Sequence, residues 1–245
     1  MTNESRPWVP PTIIAIGLAL AGIFVGTGLS EFRTEDRYVT VKGVSEREAR
    51  ADLAIWPLHL SASSNELATA HAELQSSIAK TRAFLLREGI DTSSVSLQGF
   101  AVTDLAANPY GGQQPRPSRY VIKQTIVVRS TNPVLVERAN QRVAELVSAG
   151  VVFSSGEEYG ARGPTFVFSG LNDLKPQMIA EATARAREGA EQFARDSRST
   201  LGKIRTANQG VFSILARDNV QGIPEASQMV KTVRVVATVE YFLKR

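Results

Sequence analysis

In a chain of 245 residues without cysteine, chemistry must come from two histidines, the carboxylates, the hydroxyls or the basic side chains. His59 lies between Leu58 and Leu60 in an extended run, and His71 lies on the apolar stripe of a helical segment. Neither belongs to an HExxH motif or to a histidine pair at i, i+4, so neither is placed as a metal ligand or general base. Glu157-Glu158 is a paired carboxylate, but neighbours on a strand point to opposite faces and cannot share one proton-transfer task. No serine sits in a GxSxG elbow. No GxxxxGK[ST] loop or strand-linked GxGxxG is present, so nucleotide binding lacks its usual phosphate cradle. Tyr159-Gly-Ala-Arg-Gly163 is glycine-rich at the wrong spacing and reads as a turn. The absence of cysteine removes disulfides, thiolate metal sites and thiol nucleophiles. The expectation is a protein that is not an enzyme, with no catalytic, cofactor-binding or metal-binding residue and no cofactor.

Basic residues gather on and after one helix: Arg185, Arg187, Arg195, Arg198, Lys203 and Arg205. Glu181 precedes Arg185 by four and Glu191 precedes Arg195 by four, so these read as helix-surface pairs of about 0.2–0.5 kcal/mol each. Residues 38–245 carry 25 Lys+Arg against 20 Asp+Glu, with the signs interspersed. A nucleic-acid partner is not expected from that pattern.

The elements that must position these residues follow from periodicity. Val39 and Val41, then Leu53, Ile55, Leu58 and Leu60, mark two extended runs on either side of a polar stretch. Pro57 in the second run argues for an edge or a bulge. A helix follows, capped by Ser64 or Asn65, with Leu67, His71, Leu74, Ile78, Thr81 and Leu85 in one stripe and Gly89 as its stop. Strands at 94–103 and 120–129 flank a Pro/Gly-rich loop at 106–118, a length often associated with function. Asn132 caps and Pro133 opens a second helix running to residue 149. Short strands at 151–153 and 165–168 lead to an alanine-rich third helix from Asn172 to Gly202, with Ile179, Ala182, Ala186 and Phe193 at helical spacing. Strands at 209–216 and 230–243 close the chain. The order ββαββ-αββ-αββ predicts an α+β fold with helices packed on largely antiparallel sheets.

Ahead of this domain, residues 7–30 hold 24 residues without a charge. About 20 apolar residues suffice for a helix to cross a bilayer core. Trp8 suits the headgroup zone, and Gly22 and Gly26 have GxxxG spacing. Ala19-Leu20-Ala21 has the small-x-small form of a cleavage site. The apolar run continues well past it, however, and favours an uncleaved transmembrane anchor. The chain then divides into a tail at 1–9, an anchor helix at 10–30, a charged linker at 31–37 and a domain at 38–245. Flanking Lys and Arg do not fix the orientation.

The run Val41-Lys-Gly-Val-Ser-Glu-Arg-Glu-Ala-Arg-Ala-Asp-Leu-Ala54 resembles the opening signature of the SIMPL-domain family, the YggE-like cell-envelope proteins. Gly43, Ser45, Glu46, Ala49, Asp52 and Ala54 fill its places. Gly89-Ile90-Asp91 before a strand, Leu201-Gly202-Lys203 after the third helix, and the final strand resemble the later blocks. The resemblance implies an α+β domain in the bacterial envelope that assembles into rings or channel-like homo-oligomers, with stress-related and signalling-partner roles. It carries no catalytic residues. The expected place is the bacterial inner membrane, single-pass, with the C-terminal domain in the periplasm. The expected partners are membrane lipid through the N-terminal helix, further copies of the chain, and another envelope protein. Sheet edges near Pro57 or at the final strand are the expected contacts. A rival reading is a ligand-binding protein or enzyme whose polar groups converge near the 106–118 loop.

Overall fold

The computed structural model describes residues 15, 17–19, 21–23, 37–107, 117–154 and 163–244. The tail, most of the anchor including Gly26, the linker up to residue 36, the centre of the 106–118 loop and Glu157-Glu158 lie outside the described residues. Residues 15, 17–19 and 21–23 are helical. Among the described residues, no helix is long and apolar enough to cross a membrane.

The elements run β1 (Tyr38–Arg50), β2 (Leu53–Ser64), α1 (Leu67–Arg87), β3 (Val95–Asp104), β4 (Tyr120–Ser130), α2 (Pro133–Gln141), α3 (Ala144–Ser148), β5 (Thr165–Val167), α4 (Leu171–Asp196), β6 (Thr200–Gln209), β7 (Ser213–Ala216) and β8 (Val230–Lys244). The class is α+β, with two antiparallel sheets. One has the order β3-β4-β2-β5; the other has β1-β8-β6, with β7 also paired to β8. The predicted order ββαββ-αββ-αββ changes in its second half. The expected strand at 151–153 reduces to a single bridge between Phe153 and Leu60, and three strands rather than two follow the last helix. The chain divides into two compact units, one of residues 1–46, 175–213 and 234–245, the other of 47–174 and 214–233.

The second unit holds the larger core. Along β2 the even positions Ala54, Trp56, Leu58 and Leu60 are buried, and β4 adds Ile122, Ile126 and Val128. The buried stripe of α1 is Ala70, Leu74, Ser77, Ile78, Thr81, Phe84 and Leu85. Leu67 and His71, expected in that stripe, are exposed. Burying a Leu, Ile or Phe side chain is worth about 1.5–3 kcal/mol, so this layer dominates the unit's stability. The α1 cap also differs: Glu66 holds the capping position without a side-chain bond. Gly89, at φ +84, ends α1 as expected.

Pro57 does not mark an edge strand, because β2 lies between β4 and β5. Ser61 N–H and the His59 carbonyl both bond the 152–154 segment, so odd residues of β2 direct their backbone polar groups to that side. There β5 reaches only Leu53, Ala54 and Ile55. Pro57 falls between the two paired stretches, where its missing N–H leaves no ladder bond unmade.

In the first unit, α4 buries Ala182, Ala186, Ala190 and Ala194, one small residue every fourth position. A Cβ on Gly43 of β1 would overlap the Ala182 carbonyl oxygen and reach 2.5 Å from the Ala186 nitrogen. This close approach explains why Phe193 points outward at 61% exposure, against expectation. No ring fits where a methyl group already fills the gap. Gly202 does not end the helix; it lies inside β6. The helix stops at Asp196, and Arg198 follows at φ 52. Gly202 is small because a Cβ there would lie 2.9 Å from the Phe242 carbonyl oxygen. The final strand β8 lies between β1 and β6 and is not an edge.

Candidate functional site

The residues that carry the sequence resemblance have structural partners. Gly43 permits the approach of α4. Ser45 is fully buried and its hydroxyl donates to Glu181 Oε2 at 2.9 Å. Glu46 Oε1 lies 3.2 Å from Arg234 Nε. Ala49, Ala51 and Ala54 are buried. Asp52 accepts from the Ser169 N–H at 3.0 Å and from the Ser169 hydroxyl at 2.8 Å. Ser169 stands just before α4, so the carboxylate also faces the positive end of that helix. Partial desolvation pushes the Asp52 carboxyl up, but the hydrogen bonds from Ser169 outweigh it and hold the group below its ordinary range. Each residue of the signature thus has a packing, hydrogen-bonding or ion-pairing task within its unit.

The histidines divide similarly. His59 Nδ1 lies 2.9 Å from Thr125 Oγ1 on the neighbouring strand, and burial lowers its pKa. His71 is exposed, with Nε2 3.4 Å from Gln75 Nε2. Arg185 pairs with Glu181 as expected, at 2.7 Å. Glu191 pairs with Arg187 instead of Arg195, at 3.0 Å; the Arg195 guanidinium donates to Gln192 Oε1. Asn132 accepts from the Leu135 N–H and Pro133 opens α2, as the sequence predicts. Around Glu88, 2% exposed, stand Arg87, Arg138 and Arg142, the last at 2.8 Å.

Two surface features stand apart from this scaffolding. The first is β3, an edge strand with no charged residue from Val95 to Thr103. Leu97, Phe100 and Val102 are 39%, 54% and 46% exposed. A bulge between Gln98 and Ala101, with Gly99 at φ +60, is its one protective irregularity. Of the other edges, β7 is uncharged but only four residues long, and the remaining three are better guarded. β6 carries Lys203, Arg205 and two register shifts; β1 carries Lys42, Glu46, Arg47, Glu48 and Arg50; β5 has three residues.

The second is a cleft of about 390 Å³ in the second unit, between one side of α1, the end of β2 and the turn at 150–152. Ser61 and Ser63 line it from β2, and Glu73, Ser76, Ser77 and Lys80 line it from α1. None of the residues lining the cleft belongs to the described part of the 106–118 loop. The signal was present as Glu73, Ser76, Ser77 and Lys80 at i, i+3, i+4 and i+7, a polar stripe beside the apolar one. It resembles an ordinary solvated face until the turn at 150–152 encloses it.

A family model described as SIMPL, protein of unknown function (DUF541), matches residues 39–241. No curated protein matches the chain significantly. Among solved structures, an amidase of the hydantoinase/carbamoylase family from Burkholderia phymatum is 15% identical, covering 56% of this chain and 33% of that one. The chain spans about a third of that structure's length, and at a TM-score of 0.24 the likeness carries no argument about fold or activity. With the family model spanning most of the chain, and every described residue of the signature seated in the fold, this chain belongs to the SIMPL family.

Proposed function

We propose that the protein is a non-catalytic component of the bacterial cell envelope. Residues 10–30 anchor it in the inner membrane, and the domain from residue 38 stands on the periplasmic side. There it self-associates into a ring or channel-like homo-oligomer that serves in protection against envelope stress. The uncharged run of 24 residues supports the anchor. The single observation that carries self-association is β3, a long edge without charge from Val95 to Thr103 and with exposed Leu97, Phe100 and Val102. Unpaired N–H and C=O groups on such an edge are a template for another strand. Tethering raises the local concentration of copies, so weak strand-to-strand contacts act with avidity. The test is the mass of the full chain in detergent micelles by light scattering. A multiple of the subunit mass is expected; a strict monomer at micromolar concentration removes the reading. Crosslinking in intact membranes separates it from the alternative of a scaffold for another membrane protein, which would yield mixed adducts only.

A further inference from the structure

We propose that the cleft between α1 and β2 is a binding site for a small zwitterionic ligand of the short-peptide class. Its volume, about 390 Å³, lies within the usual range for small-molecule sites. The chemistry of its lining names the ligand. Glu73 and Lys80 lie seven residues apart on α1, two turns along one face, or about 10.5 Å along the axis. Neither forms an ion pair with another described residue. The Lys80 ammonium is held in place by donating to the Ala149 carbonyl oxygen at 2.9 Å, which leaves two of its three donors for a ligand. Between the two charges, on the same side of α1, stand Ser76 and Ser77. Neither hydroxyl makes a hydrogen bond to another described residue. Ser77 is 7% exposed, so its hydroxyl has little other surface to reach.

This arrangement reads as an acceptor end, a donor end and a middle that does both. A peptide presents the complement: an ammonium for Glu73, a carboxylate for Lys80, and amide groups for the serine hydroxyls. Charge-assisted hydrogen bonds at both ends give orientation as well as affinity. Among the described residues, no aromatic side chain lines the cleft to offer a stacking face, which places a sugar second. The proposal does not depend on self-association, since its charged residues lie on α1 rather than on β3.

The test is calorimetric titration of the full chain in detergent micelles with L-alanyl-L-alanine, with its N-acetyl, C-amide derivative, and with maltose. The dipeptide is expected to bind saturably, and the blocked derivative about tenfold or more weaker. Glu73→Gln and Lys80→Met are each expected to weaken the dipeptide by about tenfold, with circular dichroism and melting temperature unchanged, because both side chains are exposed. Ser77→Val, at the floor of the cleft, gives a third reading that leaves both charges in place, and it too is expected to weaken binding. Absence of saturable heat with the dipeptide overturns the proposal. So does equal binding of the blocked derivative, binding unaffected by the charge variants, or preference for maltose. Repeating the titration on protein made monomeric through β3 separates this outcome from the fate of the oligomer.

Discussion

The Ser45 hydroxyl donates to the Glu181 carboxylate at 2.9 Å, joining residues 136 positions apart in the first unit. Ser45 has no exposed surface, so its hydroxyl must find a partner inside the protein. Glu181 also accepts from Arg185 at 2.7 Å, which fixes the carboxylate from its outer side. Two residues before Ser45, Gly43 meets the Ala182 backbone. A strand and a helix are thus set at one spacing by a missing Cβ and held in register by one charge-assisted hydrogen bond. The signature Gly-x-Ser-Glu is, in this chain, a device for docking α4 on β1.

Gly43→Ala tests that spacing. The added methyl meets backbone atoms of Ala182 and Ala186, which cannot rotate away as a side chain could. Overpacking of this kind costs about 1–3 kcal/mol and more where the obstacle is rigid. About 3 kcal/mol in a domain of this size lowers the melting temperature by about 6–12 °C. Gly189→Ala is the control: a Cβ there would lie 4.0 Å from Val41 Cγ1, an ordinary contact. The replacement favours the helix by about 1 kcal/mol. Equal melting temperatures for the two variants would show that α4 does not approach β1 this closely.

Asp52 and Ser169 predict an acid-sensitive contribution. The folded carboxyl lies below its ordinary value of 3.8. A depressed folded pKa stabilises the protein fully above the unfolded value, and the contribution fades as pH falls through the lower folded one. Stability that is constant near neutrality should therefore decline below about pH 4. Asp52→Asn removes the charge and part of the hydrogen bonding at the start of α4. It is expected to lose about 1 kcal/mol at pH 7, the size of a helix cap, and much less at pH 3. Urea midpoints of the two proteins at both pH values decide it: a difference that does not shrink in acid rules out the carboxylate as the stabilising species.

The elements with strong local signals were legible in the sequence: β4, the Asn132-Pro133 opening of α2, the Gly89 stop and the position of β8. What escaped was set by contacts distant in sequence. Gly202 reads as a helix terminator because glycine commonly is one. Only the Phe242 carbonyl across the sheet reveals it as a strand residue. Phe193 reads as core by hydrophobicity, yet the alanine ridge of α4 packs too closely to admit it. Pro57 suggested an edge and found a gap in the pairing of an interior strand. The cleft was missed for a related reason: a polar helical stripe becomes a site only when a distant turn closes over it.

Val102→Lys tests the role of β3. A lysine on an exposed edge is a common guard against pairing with another chain. Val102 is 46% exposed, so the substitution leaves the core intact and is expected to change stability by less than about 0.5 kcal/mol. If β3 joins the copies, the detergent-solubilised particle falls in mass while its circular dichroism stays the same. Lys203→Val, on the guarded edge β6, serves as the opposite control and leaves the mass unchanged. A particle of undiminished mass in Val102→Lys locates the contact elsewhere.

Lys231 and Glu225 give a prediction in which the two partners are unequal. Lys231 is 1% exposed; its ammonium donates to the Glu225 carbonyl oxygen at 2.8 Å and to the Glu225 carboxylate. Glu225 is 39% exposed on its side chain. Removing the lysine returns the carboxylate to water and relieves the desolvation of the ammonium, so Lys231→Met is expected to change stability by less than about 1 kcal/mol. Removing the carboxylate leaves a buried cation with one carbonyl partner, and Glu225→Ala is expected to cost about 2 kcal/mol or more. Urea midpoints of the two variants measure the asymmetry. The inverse order would mean that the lysine stem's packing, rather than the burial of its charge, governs this end of β8.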